Sequence, residues 1–367
     1  MKPIKSLQFQ VEKNKFINHA IEEIPEENLT LATDEIIVKV DLFSFTSNNI
    51  TYAVSGEIIR YWEFFPPVGK QTEGWGVIPV WGFADVVESK ADGIPVGDRI
   101  FGYFPPASHL KMKAGHITGK RFIDVSEHRS TLPPTYNLYR RVLSEPNYDQ
   151  KLDRDRALFY PLYITSFCLW DSLQENNWFG AEQTIILSAS SKTSIGLAYG
   201  LHIDETAPNA IGITSERNLE AVVKLGLYDE VYTYDQLVQI NSTIPTVIVD
   251  MSGNNVVLVD LHKRLGDLMK FTFKVGLTHW KESNPNEGII RERSKFFFAP
   301  SHIQKRIEDW GASEFDQKTG QFLVDAVATT KAWLQYKTLD GLADLATVYP
   351  TVCNGTLAAD QGLIVKM

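Results

Sequence analysis

The chain has 367 residues, with 44% hydrophobic and 22% charged content, which is long for one core and comfortable for two domains of a globular protein. A net charge of −9 argues against a nucleic-acid or anionic-membrane surface, and two cysteines, Cys168 and Cys353, make neither a disulfide framework nor a four-cysteine zinc site. The N-terminus carries no apolar run suited to a signal peptide and no segment approaches a membrane span, so the expectation is a cytoplasmic protein without metal.

Taken in order, residues 6–11 alternate and predict a strand, and E-I-I-V-K-V-D-L-F-S-F up to residue 45 predicts a stronger one. S-N-N-I-T-Y-A-V-S-G (47–56) predicts a short helix with Ser47 or Asn48 as its cap. Glycines and prolines then punctuate two short strands in 74–89, and G-I-P-V-G-D-R-I-F-G (93–102) feeds another, a pattern suited to a curled antiparallel barrel. Residues 103–155 show no clean period and are expected to form an excursion with short helices, in which His109 and the Tyr136–Tyr139 pair are candidate pocket residues. Trp75 and Trp81 belong to the barrel core on this reading, and Cys168 to an apolar helix.

From residue 153 the pattern changes. A helix at 157–173 leads into strands at 184–187, 210–214, 230–234, 246–250 and 270–276, separated by helices at 193–201, 216–225, 234–239 and 255–265. Near-continuously apolar strands alternating with helices specify a doubly wound parallel sheet, the Rossmann architecture. Helices at 301–310 and 322–334 and a last strand, G-L-I-V-K-M, complete the chain. The expected layout is a β-rich domain (1–155 plus 299–367) with a dinucleotide-binding domain (156–298) inserted into it.

The organising stretch is T-I-I-L-S-A-S-S-K-T-S-I-G (184–196), a strand, a small-residue turn and a helix opening. Such a corner aims backbone N–H groups and a helix dipole at a phosphate. The usual G-x-G-x-x-G is absent, and Ser188, Ala189, Ser190, Ser191, Lys192 and Thr193 stand in its place as a phosphate grip with hydroxyls and one cation. S-x-x-S-K-T also mimics a P-loop lysine, with Asp250 as a magnesium-holding acid, but the first glycines are missing and the N-terminal barrel suits no NTPase. At the end of the second strand, Thr214, Ser215 and Arg217 favour a 2′-phosphate, hence NADP(H) over NAD(H), although Glu216 would repel one if it pointed inward. Met251 and Gly253 after the fourth strand, and Gly276 after the fifth, line the ligand crevice of such a sheet. His279 beside Trp280 is the histidine best suited to proton transfer or, equally, to structural stacking.

D-E-I-I-V-K-V, G-F-A-D-V-V-E-S, V-G-D-R-I-F-G and V-I-V-D-M-S-G resemble the medium-chain dehydrogenase/reductase superfamily. G-W-G-V-I-P-V-W-G-F-A, L-S-A-S-S-K-T, V-D-M-S-G-N and V-G-L-T-H-W resemble one branch of it, the DUF2855 family. The resemblance implies a GroES-like β-rich catalytic domain around the Rossmann domain. Ser47–Asn48 stand where zinc-dependent members carry a cysteine, which implies a zinc-free reductase of the quinone or enoyl type. It also implies that Tyr52 faces the nicotinamide as a proton donor, that Asn49 and Thr165 join the cofactor-binding set, and that two chains pair as a homodimer through the sheet edge at 270–276.

The expectation is therefore a zinc-independent NADP(H)-dependent oxidoreductase acting on an activated C=C or C=O of a small organic substrate, with Tyr52 and His279 as catalytic residues. Two other readings stand beside it: a dinucleotide-binding sensor or scaffold without reductase activity, and a redox-neutral C–C-cleaving enzyme.

Overall fold

The run of β-branched and aromatic side chains after Asp34 forms the longest strand of the computed structural model, Glu35–Phe45, in which Ile36, Val38, Val40, Phe43 and Phe45 are fully buried. The structure describes residues 6–69, 72–276 and 288–367. They fall into two units, one of Met1–Leu158 with Gln335–Met367 and one of Phe159–Leu334.

In the first unit, Glu35–Phe45 pairs along one side with Val80–Ser89. Along the other side its first half pairs with His109–Gly115 and its second half with Gln361–Lys366. Register shifts at Ile37/Val38 and Val40/Leu42 mark the bulges that bend it. Gly82 lies at this bend, where a Cβ would stand 2.2 Å from the Leu42 carbonyl oxygen, so only glycine lets the two strands approach. From Glu35–Phe45 the sheet continues through Val80–Ser89, Arg99–Phe104, Leu138–Arg141, Arg121–Asp124 and His109–Gly115, and the last of these returns to the first, closing a barrel. A smaller sheet joins His19–Glu23, Leu7–Glu12 and Trp75–Gly76.

The stretch 103–155 thus holds three barrel strands between its 3-10 turns, where only short helices were expected. Two of the strands have four residues and one has seven, and Lys111, Lys113, Arg121, Arg140 and Arg141 break up any apolar alternation. A buried arginine organises it: Arg129 donates to Asp124 (2.7 Å), Asn137 (2.9 Å), the Tyr139 hydroxyl (3.0 Å) and the Tyr136 carbonyl (2.8 Å). The helix after the longest strand, Ser47–Val54, is capped one residue earlier than expected, by Thr46, whose hydroxyl accepts from the Asn48 amide while the Asn49 side chain accepts from the Thr46 amide.

In the second unit six strands are all parallel, in the order Glu230–Thr233, Asn209–Thr214, Gln183–Leu187, Thr246–Asp250, Met269–Lys274, Ser294–Phe296. Numbered by sequence this is 3-2-1-4-5-6, the doubly wound Rossmann order. Ile185, Leu187, Ile211, Ile213 and Ile248 point to one face and pack with Leu258, Leu261 and Leu265 of the helix Asn255–Leu265. The helix Lys192–His202 packs elsewhere: a Cβ at its Gly196 would press on Tyr163 and Ser166, and one at Gly200 on Trp170 and Phe322.

Two expectations change here. The helices Ala299–Trp310 and Ala312–Thr330, read from sequence as the return to the β-rich domain, belong to the parallel-sheet unit, where Phe322 packs on Phe167, Trp170 and Tyr199. The strand Met269–Lys274, read as a sheet edge for dimer pairing, is interior, because Ser294–Phe296 pairs along its outer side. No described helix is long and apolar enough to cross a membrane.

Candidate functional site

The carboxyl ends of the parallel strands gather the polar groups of the second unit. At the first, Ser188 adopts φ +62°, a left-handed conformation usually given to glycine. Its amide donates to the Tyr234 hydroxyl (3.2 Å), the Ala189 amide donates to the Ile213 carbonyl (2.9 Å), and the Ser191 amide closes the turn on the Ser188 carbonyl (2.8 Å). Ser191 then caps the helix Lys192–His202, its hydroxyl accepting from the Ser194 amide at 3.1 Å. The Lys192 ammonium lies 5.8 Å from the Trp333 ring centre, and the Thr193 carbonyl accepts from the Ser166 hydroxyl (2.7 Å). Serine side chains thus build the turn as well as line it, and the helix dipole is aimed at it.

Residues between the second and third strands meet this turn. Asn218 donates to the Ser190 hydroxyl (3.0 Å), and Tyr228 donates to the Ala189 carbonyl (2.9 Å). Thr214 is buried, and its hydroxyl has no hydrogen-bond partner among the described residues. Ser215 precedes the short 3-10 turn Glu216–Asn218 that holds Arg217 and makes no side-chain capping bond to it. Asn218, Tyr228 and Tyr234 had no sequence signal beyond lying near the ends of strands, yet they tie the first turn to the segments around the second and third strands.

At the end of the fourth strand Asp250 is fully buried. One carboxylate oxygen accepts from the Ser252 amide (2.8 Å), the Ser252 hydroxyl (2.7 Å) and the Gly253 amide (3.0 Å), and the other has no partner among the described residues. Burial pushes its carboxyl above the ordinary range, against the pull of those bonds and of Lys274. The Asp250 carbonyl accepts from the amides of Val275 and Gly276. A Cβ on Gly276 would stand 1.9 Å from the Met251 carbonyl oxygen, so this glycine lets the fourth and fifth turns close on each other.

Other candidates lie elsewhere or are occupied. Thr165 donates back to the Pro161 carbonyl (3.0 Å) within its own helix, and its neighbour Ser166 makes the contact to the turn. In the first unit, Asn49 is buried between the Thr46 amide (2.7 Å) and the Pro79 carbonyl (2.8 Å) as part of the helix cap. Tyr52 is buried beside it, and desolvation pushes its phenol up to about 12, so it holds its proton at neutral pH. His279 lies outside the described residues. His109 shares a hydrogen bond with Ser6 (3.0 Å). Burial pushes the Cys168 thiol well up, which makes it inert. Among the described residues no group of three or more His, Cys, Asp or Glu is arranged to hold a metal ion.

A closed β-barrel unit and a 3-2-1-4-5-6 parallel-sheet unit together make the fold of the medium-chain dehydrogenase/reductases. Solved structures share it along almost the whole chain. CurA from Vibrio vulnificus has 13% identity and a TM-score of 0.59 over 99% of this chain and 98% of that one. Etr1p, solved with NADP and crotonyl-CoA, has 12% identity and a TM-score of 0.56 over 99% and 100%. The CurK enoyl reductase has 10% identity and a TM-score of 0.59 over 99% and 100%. A family model described as "Protein of unknown function (DUF2855)" matches residues 43–358, and the chain belongs to that family. No curated protein matches it in sequence.

Proposed function

We propose that the protein is an NADP(H)-dependent oxidoreductase that reduces an activated C=C or C=O of a small organic molecule without zinc. One observation carries this reading: the parallel sheet reverses its order between Gln183–Leu187 and Thr246–Asp250, and polar groups cluster at the carboxyl ends of those strands. The unpartnered, buried oxygens of Thr214 and Asp250 at two of these ends suit a ligand rich in hydroxyls and amides. Etr1p was solved with NADP, and CurA with NADPH, which supports the same cofactor here.

In this reading Ser190, Lys192, Thr193 and the N-terminus of the helix Lys192–His202 hold the pyrophosphate, with Ser188, Ala189 and Ser191 shaping the turn. Thr214, Ser215 and Arg217 take the adenosine end and its 2′-phosphate. Met251, Gly253 and Gly276 flank the nicotinamide half, while Asn49 and Thr165 act by fixing their helices. When bound, the reduced nicotinamide supplies hydride. Tyr52, protonated at neutral pH, donates the proton to the oxygen or carbon that receives charge, and His279 is the second candidate for that role. Ser47 and Asn48 offer a hydroxyl and an amide where a zinc enzyme needs a thiolate. Division of labour along the chain follows the same reading, with a catalytic β-rich domain around an inserted dinucleotide-binding domain, and two chains associate as a homodimer.

A second reading, dinucleotide binding without reduction, draws on one feature of the turn: the amides of Ser188, Ala189 and Ser191 are already bonded within the protein. NADPH consumption with a panel of enones, quinones and ketones separates the two. Turnover that depends on Tyr52 supports the reductase, and tight NADPH binding with no turnover of any of them supports the sensor. Size-exclusion chromatography with light scattering decides the dimer.

A further inference from the structure

Lys192 stands in an unfavourable place for a cation. It is the first residue of the helix Lys192–His202, where the helix dipole is positive, and no acid in that first turn offsets it. Its ammonium lies over the indole ring of Trp333, 5.8 Å from the ring centre, within the range at which the negative face of the ring attracts a cation.

Trp333 ends the 3-10 turn Lys331–Trp333, which follows the helix Ala312–Thr330. The end of that helix is fixed at the same corner of the second unit. Thr330 is buried and shares a 2.6 Å hydrogen bond with the Tyr163 hydroxyl. A Cβ on Gly196 would stand 2.7 Å from the Tyr163 ring, and Ser166 donates to the Thr193 carbonyl at 2.7 Å. One helix, carrying Tyr163 and Ser166, thus ties the segment of Trp333 to the segment of Lys192.

The indole N–H of Trp333 is buried and makes no hydrogen bond among the described residues. A buried donor without an acceptor is costly, and a phenylalanine would fill the place without that cost. What the indole adds over a phenyl ring is a more negative face, and that face is turned to Lys192.

We propose that Trp333 is a positioning residue for anion binding at the turn Ser188–Lys192: its ring face holds the Lys192 ammonium beside the turn, ready to meet a phosphate. A lysine side chain gives up rotamer freedom when it grips an anion, and one that is already held gives up less. The contact leaves the ammonium able to donate, because a ring face engages its charge without taking the place of a directed acceptor. The proposal rests on the reading of this turn as a dinucleotide grip and is independent of whether hydride is transferred.

Isothermal titration calorimetry of NADPH into the full chain tests it through a double-mutant cycle of Trp333→Leu and Lys192→Ala. Trp333→Leu weakens binding about fivefold while Lys192 is present and changes nothing in the Lys192→Ala background. Trp333→Phe, which keeps a weaker ring face, restores most of the affinity. A ring that served packing alone would act the same with or without Lys192. Should Trp333→Leu lose the wild-type circular dichroism spectrum, Trp333→Met completes the cycle. A Trp333→Leu chain that binds NADPH as tightly as the wild type, or more tightly, overturns the proposal, and so does an equal loss in both backgrounds. The two failures are distinguishable: wild-type NADPH binding that is indifferent to Trp333 removes the positioning role alone, and absence of NADPH binding by the wild type removes the grip and the positioning role with it.

Discussion

The Ser188 amide donates to the Tyr234 hydroxyl over 3.2 Å, tying the end of the first parallel strand to the turn after the third. Ser188 holds φ +62° without being glycine, so the turn is kept in shape by its neighbours rather than by a permissive residue. Removing the hydroxyl in Tyr234→Phe leaves a partly buried amide without its acceptor and costs about 1 kcal/mol, read from urea denaturation. The same variant binds NADPH more weakly, because the turn it supports loses its geometry. A variant as stable and as tight as the wild type would show that the bond shapes nothing.

Arg217 stands in the 3-10 turn after the second strand, next to Asn218, whose amide reaches Ser190. Arg217→Ala is expected to weaken NADPH binding about tenfold and to leave NADH binding unchanged, since only the 2′-phosphate differs between the two. Equal losses for both cofactors would place Arg217 elsewhere in the site.

Asp250 gives a pH-dependent prediction. Burial holds its carboxyl above the ordinary value in the folded chain, so between the unfolded and folded values the folded chain keeps a proton that the unfolded chain has released. This group's contribution to stability therefore falls as pH rises through that window and levels off above it. Asp250→Asn retains the oxygen that accepts from Ser252 and Gly253 and removes the titration. The stability difference between variant and wild type should move in the variant's favour from acid towards neutral pH, measured by denaturation at several pH values. A constant difference contradicts the raised value.

Arg129 is the keystone of the segment that carries Tyr136 and Tyr139. Fully buried, it forms a 2.7 Å ion pair with Asp124 and has its guanidinium 4.9 Å from the centre of the Phe65 ring. Arg129→Met strands a buried carboxylate and costs about 3–5 kcal/mol. Adding Asp124→Asn to that variant recovers part of the loss, so a double-mutant cycle by denaturation shows strong coupling.

Much of the second unit was legible from sequence because its periods are long and unbroken. The strand at 246–250 and the helix at 255–265 have the expected limits, since V-I-V is buried on both faces and Asn254 and Gly266 punctuate the helix. The barrel strands after residue 103 were not legible, because they are short and their charged residues find partners across the barrel: Arg141 pairs with Asp98, and Arg129 with Asp124. The helices after residue 298 were read correctly as helices and assigned to the wrong unit, since an amphipathic stripe says that a helix is packed without saying on what. In the candidate site, the serine turn and Thr214 were found from the strand–turn–helix pattern. Asn218, Tyr228 and Tyr234 were not, because they reach the turn through tertiary geometry that no local pattern encodes.

The central claim is that the turn Ser188–Lys192 grips a dinucleotide. Titration of NADPH against intrinsic tryptophan fluorescence tests it most directly, with wild type and Lys192→Ala side by side. The account predicts saturable binding by the wild type, at least about tenfold weaker binding by Lys192→Ala, and denaturation midpoints for the two that differ little, since a half-buried cation–π contact such as Lys192 with Trp333 contributes only about 1 kcal/mol. Absence of NADPH and NADH binding at millimolar concentration, or identical affinity in the variant, would contradict it.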